Sequence, residues 1–290
     1  MLIDSYGRKI DYLRISVTDR CNLRCIYCMP QAGITHKPQS QILSFEEIAR
    51  VAEIISALGV EKIRLTGGEP LLRKGVVGLV KSLSRIKGIN DISMTTNGIL
   101  LKEYAAVLKE AGLKRLNISL DSLRQERYSV ITRQGRVERG LEGIEQAQNV
   151  GISPIKINVL LLDGINRDEV VDFLRLSIEN SLHVRFLEFM PVNSFYKQES
   201  LVSCQEVMDE AKRFFSVENA SVLGNGPAEV FKIKNALGTF GVISPMSNKF
   251  CFSCNRLRLS SDGFLRPCLH SEIKINLRVF LRSSASDDDL

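Results

Sequence analysis

The chain has 290 residues, 44% hydrophobic and 25% charged, a balance ordinary for a soluble globular protein of one large domain or one with an appendage. Its net charge of +6 includes no long Lys/Arg block and no aromatic-interleaved basic stretch, which favours a small polyanion over nucleic acid as partner. Seven cysteines are too few, and odd in number, for a secreted disulfide framework; with no apolar run of about 18 residues and no basic-then-apolar leader at Met1-Leu2-Ile3-Asp4-Ser5-Tyr6, a reducing cytoplasm is expected and no membrane span.

A strand-like run, Leu13 to Val17, leads into Thr18-Asp19-Arg20-Cys21-Asn22-Leu23-Arg24-Cys25-Ile26-Tyr27-Cys28-Met29-Pro30. Ser44-Phe45-Glu46-Glu47 then resembles a capping box, with Ile48, Val51, Ala52, Ile55 and Leu58 at helical spacing and Gly59 as the stop. Further strands are predicted at Lys62 to Thr66, Asp91 to Thr95, Arg115 to Leu120, Ile155 to Leu161 and Val184 to Phe189. Helices are predicted at Gly75 to Ile86, Leu101 to Ala111, Val137 to Val150 and Arg167 to Glu179.

Repeated strand–helix units imply parallel strands joined by right-handed crossovers. Six such units fall short of the eight of a closed barrel. The predicted fold class is therefore α/β, an incomplete, three-quarter TIM-type (β/α)6 barrel over residues 1–190, with a doubly wound sheet as the alternative. Over 191–282 the alternation fades past the turn-rich Gly224-Asn225-Gly226-Pro227, with short strands near Ala228 to Ile233 and Thr239 to Ile243. This region reads as a C-terminal α+β appendage on the open side of the barrel, and the polar, acidic 283–290 as a disordered tail.

Cys21, Cys25 and Cys28 carry the strongest chemical signal. Three thiolates on one short loop suit an iron–sulfur cluster, whose usual complement is four cysteines, so one iron would lack a protein ligand. That open corner suits a small molecule bearing an amine and a carboxylate, S-adenosylmethionine above all. A zinc site is the plainer alternative, but zinc wants four ligands and only His36 lies nearby. Tyr27 would pack its ring beside the site or serve as an ordinary core aromatic. Thr66-Gly67-Gly68-Glu69-Pro70 follows the second strand, where two glycines permit close approach of backbone to a ligand ammonium.

These motifs resemble the radical S-adenosylmethionine superfamily, with its Cys-x-x-x-Cys-x-x-Cys loop and Gly-Gly-Glu-Pro motif. Within it, Cys251-Phe252-Ser253-Cys254-Asn255-Arg256-Leu257-Arg258 with Cys268 is similar to the GTP 3′,8-cyclases of molybdenum cofactor biosynthesis, over roughly residues 8 to 280. The resemblance implies a second [4Fe–4S] cluster on Cys251, Cys254 and Cys268; by spacing alone a zinc ion with His270 is the alternative. It further implies that Tyr27, Gly68, Ser119 and Met190 hold S-adenosylmethionine and that Arg14, Arg64, Thr95, Lys156, Arg256, Leu257 and Arg258 hold GTP. No catalytic group beyond the clusters and bound S-adenosylmethionine is implied. A homodimer and a low-potential electron donor belong to the same expectation.

The residues agree with this in chemical terms. Thr95 and Ser119 fall near the carboxyl ends of their strands, and Arg14 and Lys156 alternate with Ile15, Ile155 and Ile157. A row of cations inside a barrel calls for an anion, although any one of them alone could pair with a carboxylate or reach solvent. No Gly-x-x-x-x-Gly-Lys-Ser/Thr loop is present, so a triphosphate would serve as anchor and not as the reacting group. Cys204 reads as an ordinary thiol in a helix, and His183 as a packing residue. The family pattern continues to a Gly-Gly tail that reaches the site, which this sequence, ending at Leu290, does not show; turnover is expected to depend on it more than cluster binding does. A radical enzyme that modifies a peptide, and a zinc-stabilised nucleic-acid binder, are the rival readings.

Overall fold

The structure, a computed structural model, describes residues 1–191, 195–222, 226–284, 286, 287 and 289. Period-two alternation builds its strands. Leu13 and Ile15 of β1 (Tyr12–Ser16), Ile63 and Leu65 of β2 (Lys62–Thr66) and Ile92 and Met94 of β3 (Asp91–Thr96) are buried on one face. In register with them on that face lie Leu116 and Ile118 of β4 (Arg115–Ser119), Ile155, Ile157 and Val159 of β5 (Ile155–Leu161), and Val184 and Phe186 of β6 (His183–Glu188).

Helices cover this apolar face: α1 (Phe45–Ala57), α2 (Val76–Leu83), α3 (Leu101–Glu110), α4 (Gln125–Thr132), α5 (Val137–Asn149) and α6 (Val170–Glu179). Their buried apolar residues join those of the strands in one core, apart from Ile131 of α4, which packs with Leu162 and Phe189; each enclosed Leu or Ile contributes about 1.5–3 kcal/mol. The capping box expected ahead of α1 is present, with Ser44 Oγ accepting from Glu47 N and Glu47 accepting from Ser44 N. Periodicity missed α4, whose Gln-Glu-Arg-Tyr-Ser-Val-Ile-Thr sequence carries little apolar stripe.

β1 to β6 lie side by side in chain order, each pair parallel. The later strands join the same sheet at both of its edges. After α7 (Cys204–Phe214), β7 (Val217–Asn219), β8 (Glu229–Ile233) and β9 (Thr239–Ile243) extend the sheet beyond β6, with β9 parallel to it. β10 (Arg256–Leu259), β11 (Phe264–Arg266) and β12 (Ile275–Asn276) extend it beyond β1, with β10 parallel to it, before the short α8 (Leu277–Leu281). A six-stranded open sheet leaves a row of unpaired backbone groups at each edge, and the C-terminal strands satisfy both rows. Among the described residues the result is one twelve-stranded sheet.

Of the turn-rich break, Gly224 and Asn225 lie outside the described residues, as do Ala285, Asp288 and Leu290 of the tail expected to be disordered; Asp287 of that tail stands 2.7 Å from Arg50 on α1. No helix among the described residues is long and apolar enough to cross a membrane.

Candidate active site

The loop after β1 is held along both sides. On one side Val17 N donates to Thr66 O, Gly68 N to Thr18 O and Glu69 N to Arg20 O, at 2.7–2.8 Å, so the Gly-Gly-Glu segment runs beside the cysteine loop. On the other, Arg24 N and Ile26 N donate to Thr132 O and Ile131 O at the end of α4. A Cβ on Gly68 would stand 2.2 Å from Arg20 O and 3.1 Å from Cys21 N, and one on Gly67 would stand 2.7 Å from Thr18 O. The two glycines are thus demanded by contact between the two loops.

Cys21, Cys25 and Cys28 are free thiols brought together by this packing. Burial, with the neighbouring acidic groups, pushes all three up, Cys28 to about 12. Without a cation such thiols keep their protons, and a bound metal group would displace them. Glu69 is buried beneath, its carboxylate accepting from Leu71 N at 3.1 Å, Thr96 Oγ1 at 2.8 Å and Asn97 N at 2.7 Å, while burial holds it up to about 7. Tyr27 donates its hydroxyl to Asp121 Oδ2 at 2.5 Å, and Leu160 N donates to Asp121 Oδ1 at 2.8 Å. Ser119 ends β4 opposite Asn158 of β5, and Met190 follows β6 at this same end of the strands.

The polar face of the sheet is cationic. Register places Arg258, Arg14, Arg64, Ser93 and Arg115 in one row across β10, β1, β2, β3 and β4. Thr95, Asn117, Lys156, His183 and Thr239 form a second row across β3, β4, β5, β6 and β9. Arg115 pairs with Asp91, and Arg64 Nε donates to Ser93 Oγ at 3.2 Å. Burial, then the Arg258 charge, brings Arg14 down to about 10; burial brings Arg64 to about 10; burial, then Arg185, brings Lys156 to about 7. Arg14 Nε, Thr95 Oγ1, Tyr12 Oη and Arg185 Nε are buried with no hydrogen-bond partner among the described residues. Orphaned donors of this kind on a cationic face call for an anionic, hydrogen-bonding ligand.

Arg185 was not singled out by sequence. It lies on β6 with Nη2 donating to Asn117 Oδ1 at 2.5 Å and Asn158 Oδ1 at 2.6 Å, and it alternates with Val184 and Phe186 as Arg14 does with Leu13 and Ile15. His183 packs as expected, its Nδ1 2.6 Å from Thr239 Oγ1, and burial lowers it to about 4, leaving it neutral. Cys204 is buried at the start of α7, its Sγ 3.3 Å from Ile243 O.

Cys254 stands two residues before Arg256, which pairs with Tyr12 at the amino end of β1. Cys268 follows Arg266 of the antiparallel β11, which pairs with Arg258, so the chain there heads to the same end. Arg258 feels the charges of both Cys254 and Cys268, and Arg256 Nε lies 3.3 Å from Cys254 Sγ. Arg256 and Arg258 bring Cys254 below the ordinary thiol value against the opposing effect of burial. The first trio follows the carboxyl end of β1, whereas Cys254 precedes the amino end of β10. Among the described residues no three His, Cys, Asp or Glu side chains converge on a single ion position. All six sulfurs are free, and in a cluster each thiolate takes its own iron, so convergence on one ion position is not required of either trio.

Leu257 does not join this face. Its side chain points through the sheet into an apolar cavity of about 340 Å³, lined also by Ile10, Ile54, Ile55 and Leu265, as strand alternation between Arg256 and Arg258 requires.

This fold and its sulfur-bearing loop define a radical S-adenosylmethionine protein: the Radical SAM superfamily matches residues 15–177, and Molybdenum Cofactor Synthesis C matches residues 182–290. GTP 3′,8-cyclase of Peptoclostridium acidaminophilum is 50% identical over 285 residues, 97% of this chain and 87% of that relative. That of Petrotoga mobilis is 50% identical over 279 residues, 96% and 86% of the two chains. The chain belongs to the radical SAM superfamily and, within it, to the family of these cyclases. Solved structures share the fold: Streptococcus suis SuiB bound to precursor peptide SuiA has a TM-score of 0.69 at 16% identity, covering 96% of this chain. The chain spans 64% of that larger protein's length. Histidine-tagged anSMEcpe with bound AdoMet has a TM-score of 0.63 at 14% identity, covering 94% of this chain and 77% of that one.

Proposed function

We propose that the protein converts GTP to 3′,8-cyclo-7,8-dihydro-GTP, the first step of molybdenum cofactor synthesis. The observation that carries this is the near-full-length 50% identity to GTP 3′,8-cyclases, joined to a sheet whose cationic face runs between two sulfur trios. When bound, a reduced [4Fe–4S] cluster with S-adenosylmethionine supplies the 5′-deoxyadenosyl radical for hydrogen abstraction at the ribose C3′ of GTP.

The chain's own residues hold and orient. Cys21, Cys25 and Cys28 would hold one cluster, and Cys251, Cys254 and Cys268 the other. Tyr27, Gly68, Ser119 and Met190, at the carboxyl end of the strands, would surround S-adenosylmethionine. Arg14, Arg64, Thr95, Lys156, Arg256 and Arg258 would take GTP, with Arg185 added and the Leu257 side chain left out. Cations preset on strands reorganise little as the triphosphate enters, and fixing the nucleotide between the two trios presents its ribose to one and its base to the other.

We read the sheet as curled into the three-quarter barrel expected from sequence. Arg185 on β6 and Arg14 on β1 feel each other's charge. In a flat sheet, five strand spacings of about 4.8 Å would hold them roughly 24 Å apart. His270, beyond β11, also reaches Met190 beyond β6, with Nε2 3.2 Å from Sδ. Residues 1–190 would then form the radical-generating unit and 191–282 the region bearing the second cluster. A cytoplasmic homodimer fed by a low-potential electron donor completes the reading. The peptide-modifying alternative draws on a likeness of fold alone.

Anaerobic reconstitution should load two clusters, and dithionite, S-adenosylmethionine and GTP together should release 5′-deoxyadenosine with consumption of GTP. Deoxyadenosine release indifferent to GTP would overturn the substrate assignment.

A further inference from the structure

The first ten residues fold into a hook that closes on the second cysteine loop. Ile3 and Lys9 form an antiparallel bridge, and Asp4 Oδ1 turns the chain by accepting from Tyr6 N at 2.9 Å and Arg8 N at 3.0 Å. Asp4 Oδ2 grips the Arg8 guanidinium, with Nε at 2.7 Å and Nη2 at 2.5 Å. The remaining nitrogen, Nη1, donates to the Cys251 carbonyl at 2.5 Å, across 243 residues of sequence.

Within the loop the bonds are local, Cys254 N donating to the same Cys251 carbonyl at 3.2 Å and Ser253 N and Oγ to Phe250 O at 3.2 and 3.1 Å, so they close the turn without tying it to the rest of the fold. Cys251–Ser253 is a single 3-10 turn without a side-chain cap, all three residues are exposed, and Phe252 is 81% exposed, so packing contributes little to its position. Asn255 Nδ2 donating to Asp11 Oδ1 fixes the far end of the loop, and Arg8 fixes the near end. Only a planar guanidinium can offer two nitrogens to one carboxylate and a third to a carbonyl; a lysine ammonium has one nitrogen for both.

We propose that Arg8, preset by Asp4, is a positioning residue for the second sulfur trio: it fixes the Cys251 peptide so that Cys251 joins Cys254 and Cys268 as a ligand. This rests on reading that trio as a cluster site. The first trio, at the opposite strand ends, is independent of the hook.

The test is iron and sulfide content with electron paramagnetic resonance on anaerobically reconstituted full-length protein. Arg8→Ala should lose roughly half of its iron, that of one cluster of two. The change that S-adenosylmethionine induces in the first cluster's spectrum should persist, and cluster-free melting should match the parent. Arg8→Lys should recover part of the loss, and Asp4→Asn should lose less in the same direction; if Arg8→Ala fails to fold, these two carry the test. Full iron in Arg8→Ala would overturn the proposal, as would loss of both clusters with a lowered melting temperature. A parent protein that loads only one cluster would overturn the reading of the trio, and this inference with it.

Discussion

Arg14 and Arg258 stand opposite one another on the parallel strands β1 and β10, two largely buried guanidiniums in register. Neither forms an ion pair with a carboxylate among the described residues. Burial, then the Arg258 charge, lowers the proton affinity of Arg14, and burial, then the Arg256 charge, lowers that of Arg258, so the ligand-free fold holds these cations at a cost that an anion would relieve.

Arg258→Met keeps the apolar stem and removes one charge. The ligand-free protein should melt at a higher temperature than the parent, while GTP affinity falls by about 10- to 150-fold, the loss of a charged hydrogen bond worth roughly 1.5–3 kcal/mol. Thermal melts and calorimetric titration measure the two. Lower stability with unchanged affinity would show the pair to be structural.

Lys156 gives a pH signature. Burial, then the nearby Arg185, Arg115 and Arg64, brings its folded value to about 7 from 10.5. Between these values the unfolded chain binds the proton more tightly, so Lys156 makes ligand-free stability rise as pH climbs from about 7 to 10.5. A triphosphate favours the ammonium form, and GTP binding near pH 8 should therefore take up a proton. Titrations in buffers of different ionisation heat would measure that uptake, and Lys156→Met should abolish it. Equal uptake in the variant would assign the proton elsewhere.

The strands and the first cysteine loop were legible because their signals are local: Leu13, Arg14 and Ile15 declare two faces within three residues. Arg185 carries the same signature between Val184 and Phe186, and Leu257 was assigned with the arginines beside it although strand alternation sends it to the other face. Asn117 and Asn158 gain meaning only once register sets them around Arg185. The pairing of β9 with β6, of β10 with β1, and of Arg8 with Cys251 was beyond reach, since each joins segments far apart in the chain that no local pattern couples.

Gly68 tests the packing of the two loops. A Cβ there meets Arg20 O at 2.2 Å and Cys21 N at 3.1 Å, both backbone atoms that no rotamer change can move. Gly68→Ala should cost about 1–3 kcal/mol of stability and displace Cys21, as overpacking does. Iron counts should show the first cluster depleted and the second retained. A variant with full loading at the first site would mean that the loops separate easily.

Tyr27 and Asp121 couple the cysteine loop to the end of β4 through one short hydrogen bond. Burial raises Asp121 from 3.8 to about 6, so its contribution to ligand-free stability is present below about pH 4 and lost as pH rises through 6. Tyr27→Phe removes the donor on Oδ2 and leaves Leu160 N on Oδ1. The ionised carboxylate then has one buried oxygen unpartnered, costing about 1–3 kcal/mol, whereas the protonated acid is penalised less. The variant's deficit in denaturant unfolding should therefore be small at pH 5 and larger at pH 8, and its affinity for S-adenosylmethionine should fall. A deficit of equal size at both pH values would show that the ring, and not the hydroxyl proton on Asp121, holds the loop.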